Sequence, residues 1–268
     1  MKSKILDIKG NEKGNVELPK EFSAKIREDI VSKVLEAKKN QQPYSPSPMA
    51  GQQHAAKGKV VHRRHVWRSG YGRGQSRVPR KIFSRKGSQF NWQAAEVPFA
   101  RGGMRAHPPK VEAFTKLKIN KKEARIAFES ALSATANERF ILRKYSKIEK
   151  LDKKFPLIVS SEISGLKAKQ LIESVKTILG NAFETALRKK TVRAGKGKMR
   201  GRKYKSNAGM LLVIGNDEKL ATKAFEVVRA NELNIVNLAE GGLGRITIYT
   251  EKAIKDLENK FKRDKKWT

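Results

Sequence analysis

Residues 44–110 form a stretch of 67 residues that carries 14 lysines and arginines and a single acid, Glu96. Nothing in it repeats with the period of a helix or a strand. It also holds all four histidines, eight glycines and most of the prolines of the chain. Like charges at this density repel one another, and there is little apolar surface to offset the entropy of ordering. Such a segment does not build a core of its own; it orders against something large and anionic. Structureless stretches of this length are uncommon inside compact domains and usually carry function.

A second run, 188–205, has ten lysines and arginines in 18 residues and no acid. The other 183 residues hold 36 basic and 25 acidic side chains. Two segments thus account for 23 of the formal +34 of the 268-residue chain. Charge of this size points to a polyanionic partner, nucleic acid first and an anionic membrane surface second. Cysteine is absent, which excludes disulfides and thiolate metal sites and suits a reducing compartment. The N-terminal MKSKILDIKG lacks the apolar run of a signal peptide. The longest strongly apolar run, MLLVI at 210–214, is far shorter than the ~20 residues of a membrane span. A soluble intracellular protein is expected.

The flanks of the long segment read as folded. KILDIKGNEKGNVELP alternates around a Gly-Asn turn, the pattern of a β-hairpin. Phe22, Ile26, Ile30 and Val34 recur every four residues, one apolar face of a helix. Asn120 and Glu123 have capping-box spacing and open the helix KKEARIAFESALSATA. Further on, PLIVSS (156–161) precedes a helix with Leu171, Val175 and Ile178 on one face. MLLVIG (210–215) precedes another with Ala221, Ala224, Phe225 and Val228. Then come NIVNL (234–238), RITIYT (245–250) and a last helix with Ile254, Leu257 and Phe261. Alternating strands and helices, with strands apolar on both faces, predict an α/β body whose parallel sheet is covered by helices on both sides. Residues 44–110 are then an insertion in that body.

A parallel α/β sheet invites a search for a nucleotide site. Gly70, Gly72 and Gly74 form G-x-G-x-G, but no buried strand feeds them and Pro79 discourages a helix after them. GGLG at 241–244 comes before a strand rather than after one, and GKGKMRGRKYK (195–205) lacks phosphate-loop spacing. His62 and His65 are separated by two arginines, with no carboxylate near to complete a metal site, so a solvated or phosphate-contacting role fits His54, His62, His65 and His107 better. Glu162 and Asp217 follow the ends of strands, where α/β enzymes keep catalytic groups; loop carboxylates explain them as well. An RNA-modifying α/β enzyme is therefore disfavoured. A membrane-surface protein would need a basic amphipathic helix, and the most basic segments here are not helical.

What remains is RNA. Trp67, Tyr71, Phe83, Phe90, Trp92 and Phe99 lie among the arginines of the first segment. Folded RNA offers phosphates to guanidinium groups and unstacked bases to rings. Glycine lets backbone pass close to a phosphate, and proline lowers the entropy lost when the chain is ordered. An out-and-back loop of 67 residues has a reach of several tens of Å, at about 3.3–3.6 Å per extended residue.

GYGRGQSRVPR (70–80), RGGMRAHPPK (101–110), RAGKGKMRGRKYK (193–205) and LAEGGLGRITIYTEKAIKDLE (238–258) resemble, in this order, the large-subunit ribosomal protein L-four family. The resemblance spans nearly the whole chain, and the length fits the archaeal members. Glu240 stands where the family usually has proline, a change expected to loosen a turn. The resemblance implies a three-layer αβα body with a short, mostly parallel four-stranded sheet (1–43 and 111–268). It implies a long non-globular loop (44–110) that threads large-subunit rRNA to the peptide exit tunnel, and a basic segment (188–205) that contacts rRNA from the body. Such a protein is structural, supports early assembly and has no reaction of its own. Carried over, Arg63, Arg64, Arg68, Tyr71, Arg73, Arg77, Arg80, Lys81, Arg85, Lys86, Arg101 and Arg105 bind rRNA on the loop. Arg193, Lys196, Lys198, Arg200, Arg202, Lys203 and Lys205 bind it at the body, and Gly70, Gly72, Arg73, Gly74 and Gln75 are candidates for the tip at the tunnel. The implied partners are large-subunit rRNA, neighbouring ribosomal proteins and the nascent peptide, with no membrane and no homo-oligomer. The implied location is cytoplasmic and ribosome-bound. No cofactor or protein-held metal is implied; any structural Mg2+ would belong to the rRNA.

Overall fold

The computed structural model describes residues 2–39, 60–107, 117–220 and 222–265. The expected loop limits at 44 and 110, and with them His54 and Ala221, lie outside the described residues. The chain divides into two units, Met1–Asn40 with Lys118–Thr268 and Gln41–Leu117.

The first unit begins with strands β1 (Lys2–Leu6) and β2 (Glu12–Glu17), an antiparallel hairpin. Its turn is closed by Asp7 N–H to Asn11 O at 2.8 Å, with Gly10 at φ +79. A 3-10 turn (Lys20–Ser23) leads into α1 (Glu28–Lys39). The expected helical face from Phe22 starts too early: Phe22 lies on the 3-10 turn and Ile26 precedes α1, though Phe22, Val31 and Val34 all reach the same core. The second unit contributes β3 (Arg80–Lys86) and β4 (Gln89–Ala94). The first unit resumes with α2 (Lys121–Ala136), α3 (Glu138–Lys144), β5 (Leu157–Val159), α4 (Ala168–Leu179) and α5 (Phe183–Ala186). After β6 (Lys190–Val192) and β7 (Tyr204–Ser206) come β8 (Leu211–Ile214), β9 (Glu226–Arg229), α6 (Ile235–Leu238), β10 (Thr247–Thr250) and α7 (Glu251–Lys265).

One sheet organises this unit, in the order β2-β1-β5-β10-β8-β9, parallel except for the β1–β2 pair. It has six strands rather than four. The N-terminal hairpin joins the sheet through parallel pairing of Ile5 with Ile158, and the edge strand β9 lies where a helix was expected. The sequence there misleads because Phe225 and Val228 mimic a helical face, while Leu211 to Ile214 pair residue by residue with Glu226 to Arg229. Conversely, NIVNL is not a strand. The Asn234 side chain accepts from the backbone N–H of Val236 and Asn237, at 2.9 and 3.3 Å, and starts a helical turn. The expected box at Asn120 is half formed: the Asn120 side chain makes no cap bond, while the Glu123 carboxylate accepts from the Asn120 N–H and from Lys33 Nζ, the latter at 2.9 Å.

Alternate residues of the central strands enter two different cores. Ile158, Leu211, Val213 and Tyr249 pack with side chains of α1, α2 and α7. Leu157, Val159, Leu212, Ile214 and Ile248 pack with Leu171, Val175 and Ile178 of α4 and Ile141 of α3. Each of these side chains is almost fully buried, and each contributes about 1.5–3 kcal/mol by leaving water. At the carboxyl edge of the sheet, buried Glu218 accepts from Gly215 N–H and Thr250 Oγ1, both at 2.7 Å. The carboxylates singled out from sequence are ordinary by comparison: Glu162 pairs with Lys13 at 3.0 Å and Asp217 is exposed. Among the described residues no helix is long and apolar enough to cross a membrane.

Candidate nucleic-acid interface

Both basic segments contain a two-stranded antiparallel hairpin, which their compositions did not announce. In the second unit, β3 pairs with β4 from Arg80 opposite Ala94 to Lys86 opposite Gln89. The two-residue turn begins at Gly87, whose φ of +57 matches what tight hairpins ask of that position. The expected absence of strands in this segment is thus corrected. The period is hidden by a register shift at Phe83, which has no partner on β4.

Alternation puts Phe90 and Trp92 on one face of the hairpin, opposite Arg85 and Ile82. Phe90 stacks with Trp92 (5.5 Å between ring centres) and meets Trp67 edge-on at 5.4 Å. The guanidinium groups of Arg85 and Arg68 lie 5.4 and 5.8 Å from the centre of the same ring. The opposite face carries Lys81, Ser84 and Lys86 against Gln93, Asn91 and Gln89. Ahead of the hairpin, Val61 and Ser69 bridge across a turn, with Gly70 N–H bonded to Val61 O at 2.8 Å. Gly70 is buried, and a methyl group there would stand 3.0 Å from Val60 Cγ2. Gly72 and Gly74 have positive φ (+74 and +64) and open space around them, so GYGRGQS is a run of turns leading into β3. After the hairpin, the chain folds back so tightly that a side chain at Gly103 would collide with Val97 O.

The residues expected to bind RNA here are mostly on the surface. Arg63, Arg64, Tyr71, Arg73, Gln75, Arg77, Arg85, Lys86, Arg101 and Arg105 are exposed; Arg68, Arg80 and Lys81 are half-buried. A few are held by local bonds: Arg64 Nη2 donates to Tyr71 Oη at 2.6 Å, and Arg80 Nη2 donates to Ser76 Oγ at 2.7 Å.

In the first unit, β6 and β7 pair from Lys190 opposite Ser206 to Val192 opposite Tyr204. The ladder continues with Arg193 N–H to Lys203 O at 2.8 Å, and a 3-10 turn (Lys196–Met199) closes the end. Gly195 and Gly201 flank that turn at φ +73 and +76. Arg193, Lys196, Lys198, Arg200, Arg202, Lys203 and Lys205 are all exposed, and Val192, Met199 and Tyr204 are exposed among them. No lysine or arginine of 60–107 or of 188–205 forms an ion pair with another described residue. Elsewhere in the first unit such pairs are common, for example Arg143–Glu28 at 2.8 Å. Cations left without acids, next to exposed rings, suit a polyanion with unstacked bases.

The base of this second hairpin rests on a residue that sequence reasoning passed over. Arg245 is fully buried. Its Nε donates to Gly209 O (3.0 Å), Nη1 to Asn237 O (2.7 Å), and Nη2 to Ala208 O and Glu226 Oε2 (2.7 and 2.9 Å). Nη1 also forms an ion pair with Glu240 Oε2 at 3.3 Å, so the buried guanidinium is held by three carbonyls and two carboxylates. Burial pushes the Glu226 carboxyl up, but bonds from Arg245 and Asn237 together with the guanidinium charge outweigh that and hold it below the usual range. Glu240 has partners on both sides: its carboxylate faces Arg245, and its carbonyl accepts from Lys144 Nζ at 2.7 Å. Burial, with the charge of Arg245 adding to it, brings Lys144 down to about 8. Arg245 lies inside the motif that carried the family resemblance, yet a lone arginine before a strand gives no sign of burial. Asn207 adds a second clasp, accepting from Lys189 N–H at 2.9 Å and donating to Leu187 O at 2.8 Å.

No group of three or more residues able to hold a metal ion is found among the described residues. Residues 16–260 match the family model described as ribosomal protein L4/L1 family. The chain is 36% identical to the large ribosomal subunit protein uL4 of Archaeoglobus fulgidus, over 96% of this chain and 98% of that one. It is 36% identical to that of Nanoarchaeum equitans, over 97% and 98%. For Methanococcoides burtonii the figures are 38%, 96% and 98%.

Proposed function

The chain belongs to the ribosomal protein L4/L1 family, archaeal type, a structural constituent of the large ribosomal subunit, and from that premise we propose how its two basic segments serve it. Each segment is an rRNA ligand: residues 44–110 as an extended arm inserted in the three-layer αβα body, residues 188–205 as a shorter finger on the body. The observation that carries this reading is the contrast in pairing. Acids neutralise many cations of the body, while the arginines and lysines of both hairpins have no acid among the described residues.

On the arm, Arg73, Arg77, Arg85, Lys86, Arg101 and Arg105 are the phosphate contacts, and the turns at Gly72 and Gly74 bring backbone close to RNA. On the finger the contacts are Arg193, Lys196, Lys198, Arg200, Arg202, Lys203 and Lys205. Gly70, Gly72, Arg73, Gly74 and Gln75 are the candidates for the wall of the exit tunnel, where the nascent peptide passes. The protein enters early in subunit assembly, stays ribosome-bound in the cytoplasm beside other ribosomal proteins, and acts as a monomeric chain without catalysis.

Counterion release gives the test. Binding of the purified protein to large-subunit rRNA should weaken steeply as KCl rises, with log K falling linearly in log salt. The protein should also stay with the large subunit through a high-salt wash, because contacts made in two places reinforce one another. A flat salt response, or loss from the subunit in mild salt, would sink the reading.

A further inference from the structure

The six rings of the arm do not have the same occupation. Trp67, Phe90 and Trp92 spend their faces on each other and on Arg68 and Arg85. Among the described residues, Phe83 forms no ring pair with another aromatic side chain and has no cation over its face. It is 75% exposed and occupies the one position of β3 without a partner on β4. A bulge of this kind turns a side chain out of the regular alternation of a strand and is common where a strand serves a site. Leaving so large an apolar ring in water forgoes the stabilisation that burial would give, unless a partner covers it.

The surroundings name the partner's chemistry. Within β3, Arg80, Lys81, Arg85 and Lys86 flank Phe83, and β4 opposite offers Gln89, Asn91 and Gln93 and no acid. An apolar protein surface gains nothing from four adjacent cations. A nucleotide uses both features, with its base on the ring and its phosphates on the cations. We infer that Phe83 is a base-stacking residue, which receives an unpaired base of the rRNA while the Trp67–Phe90–Trp92 cluster holds the hairpin that presents it. This rests on the reading of the arm as an rRNA ligand and assigns to one side chain a contact that is not electrostatic.

That difference in kind supplies the test. Full-length protein and transcribed large-subunit rRNA are titrated by filter binding over a series of KCl concentrations. Phe83→Leu keeps an apolar side chain and every charge but cannot stack. It should weaken binding by about tenfold to a hundredfold, the usual worth of one stacked base. Its salt slope should match that of the unaltered protein. Phe83→Trp should bind within about twofold of the original, since a larger ring stacks at least as well. In a second measurement, a photoreactive phenylalanine analogue at position 83 should cross-link to an rRNA base in reconstituted particles. Equal binding by Phe83→Leu, no rescue by tryptophan, or cross-links to protein alone would each overturn the assignment while leaving the salt-dependent binding of the arm intact. Absence of salt-dependent binding by the unaltered protein would overturn both.

Discussion

The two basic hairpins are built alike at their ends and unlike at their roots. Each is a short antiparallel pair, rich in cations, closed with the help of glycines at positive φ. Isolated hairpins of this length are marginal in water, so each needs support. The arm hairpin carries its own, in the rings of Trp67, Phe90 and Trp92. The finger carries almost none, since its strands β6 and β7 are exposed along their whole length. It is held from below instead, where buried Arg245 grips the carbonyls of Ala208 and Gly209 beside β7 and ties them to Glu226 of β9 and Asn237 of α6. A basic element can therefore be made rigid in two ways: by apolar contacts it supplies itself, or by polar contacts borrowed from a core.

The sharpest way to break that contrast is to remove the finger's anchor. Arg245→Met should destabilise the body by about 3–5 kcal/mol, because Glu226 and three carbonyls lose their buried partner. Urea unfolding should show this, and limited proteolysis should show faster cutting within 188–205 while 80–94 is unchanged. Acid should reduce the gap. The Glu226 carboxyl is held below its usual value, so its share of stability is complete above about pH 4.3 and is lost as the pH falls through the folded value. Without Arg245 that acid-sensitive share is gone, and the two proteins should draw closer in stability below pH 4. Equal sensitivity of both hairpins to this substitution would end the distinction between them.

The converse change acts on the arm. Phe90→Ala removes a stacked pair, an edge-on pair and two guanidinium contacts at once. It should cost the local structure about 1–3 kcal/mol. Amide exchange of β3 and β4 should quicken, with the melting of the body and the exchange of β6 and β7 unaffected. A lower melting temperature of the body would mean that the arm hairpin does not stand on its own rings.

How legible was this in the sequence? The apolar runs at 156–161 and 210–215 and the alternation of Thr247–Thr250 marked central strands, because strands buried on both faces leave unbroken apolar text. The distribution of charge located both basic segments, and the family resemblance assigned them to rRNA. The edge strand β9 was unreadable as a strand, since one pairing partner is enough for it and its residues also fit a helix. The arm hairpin was hidden by the bulge at Phe83, which breaks the two-residue period. Arg245 was hidden for a different reason: three of its acceptors are backbone carbonyls, two of them far back along the chain, and carbonyls leave no trace in a sequence.

The smallest effect asks how far the finger's anchor extends. Lys144, at the end of α3, donates to the carbonyls of Glu240 and Gly242 at 2.7 and 2.9 Å, and Glu240 in turn faces Arg245. Burial and the nearby guanidinium bring Lys144 down to about 8, below the ~10.4 of an unfolded chain. Between those values the unfolded state binds more protons than the folded one, so stability rises with pH across the window and levels off above it. Lys144→Met has no such group. The stability of the unaltered protein relative to this variant should therefore climb between pH 8 and about 10, by on the order of 1 kcal/mol once partial solvent exposure is allowed for. Taking the difference between the two proteins cancels the other groups that titrate there. A flat difference across that window would detach Lys144 from Arg245 and confine the anchor to β9, α6 and the Ala208–Gly209 carbonyls.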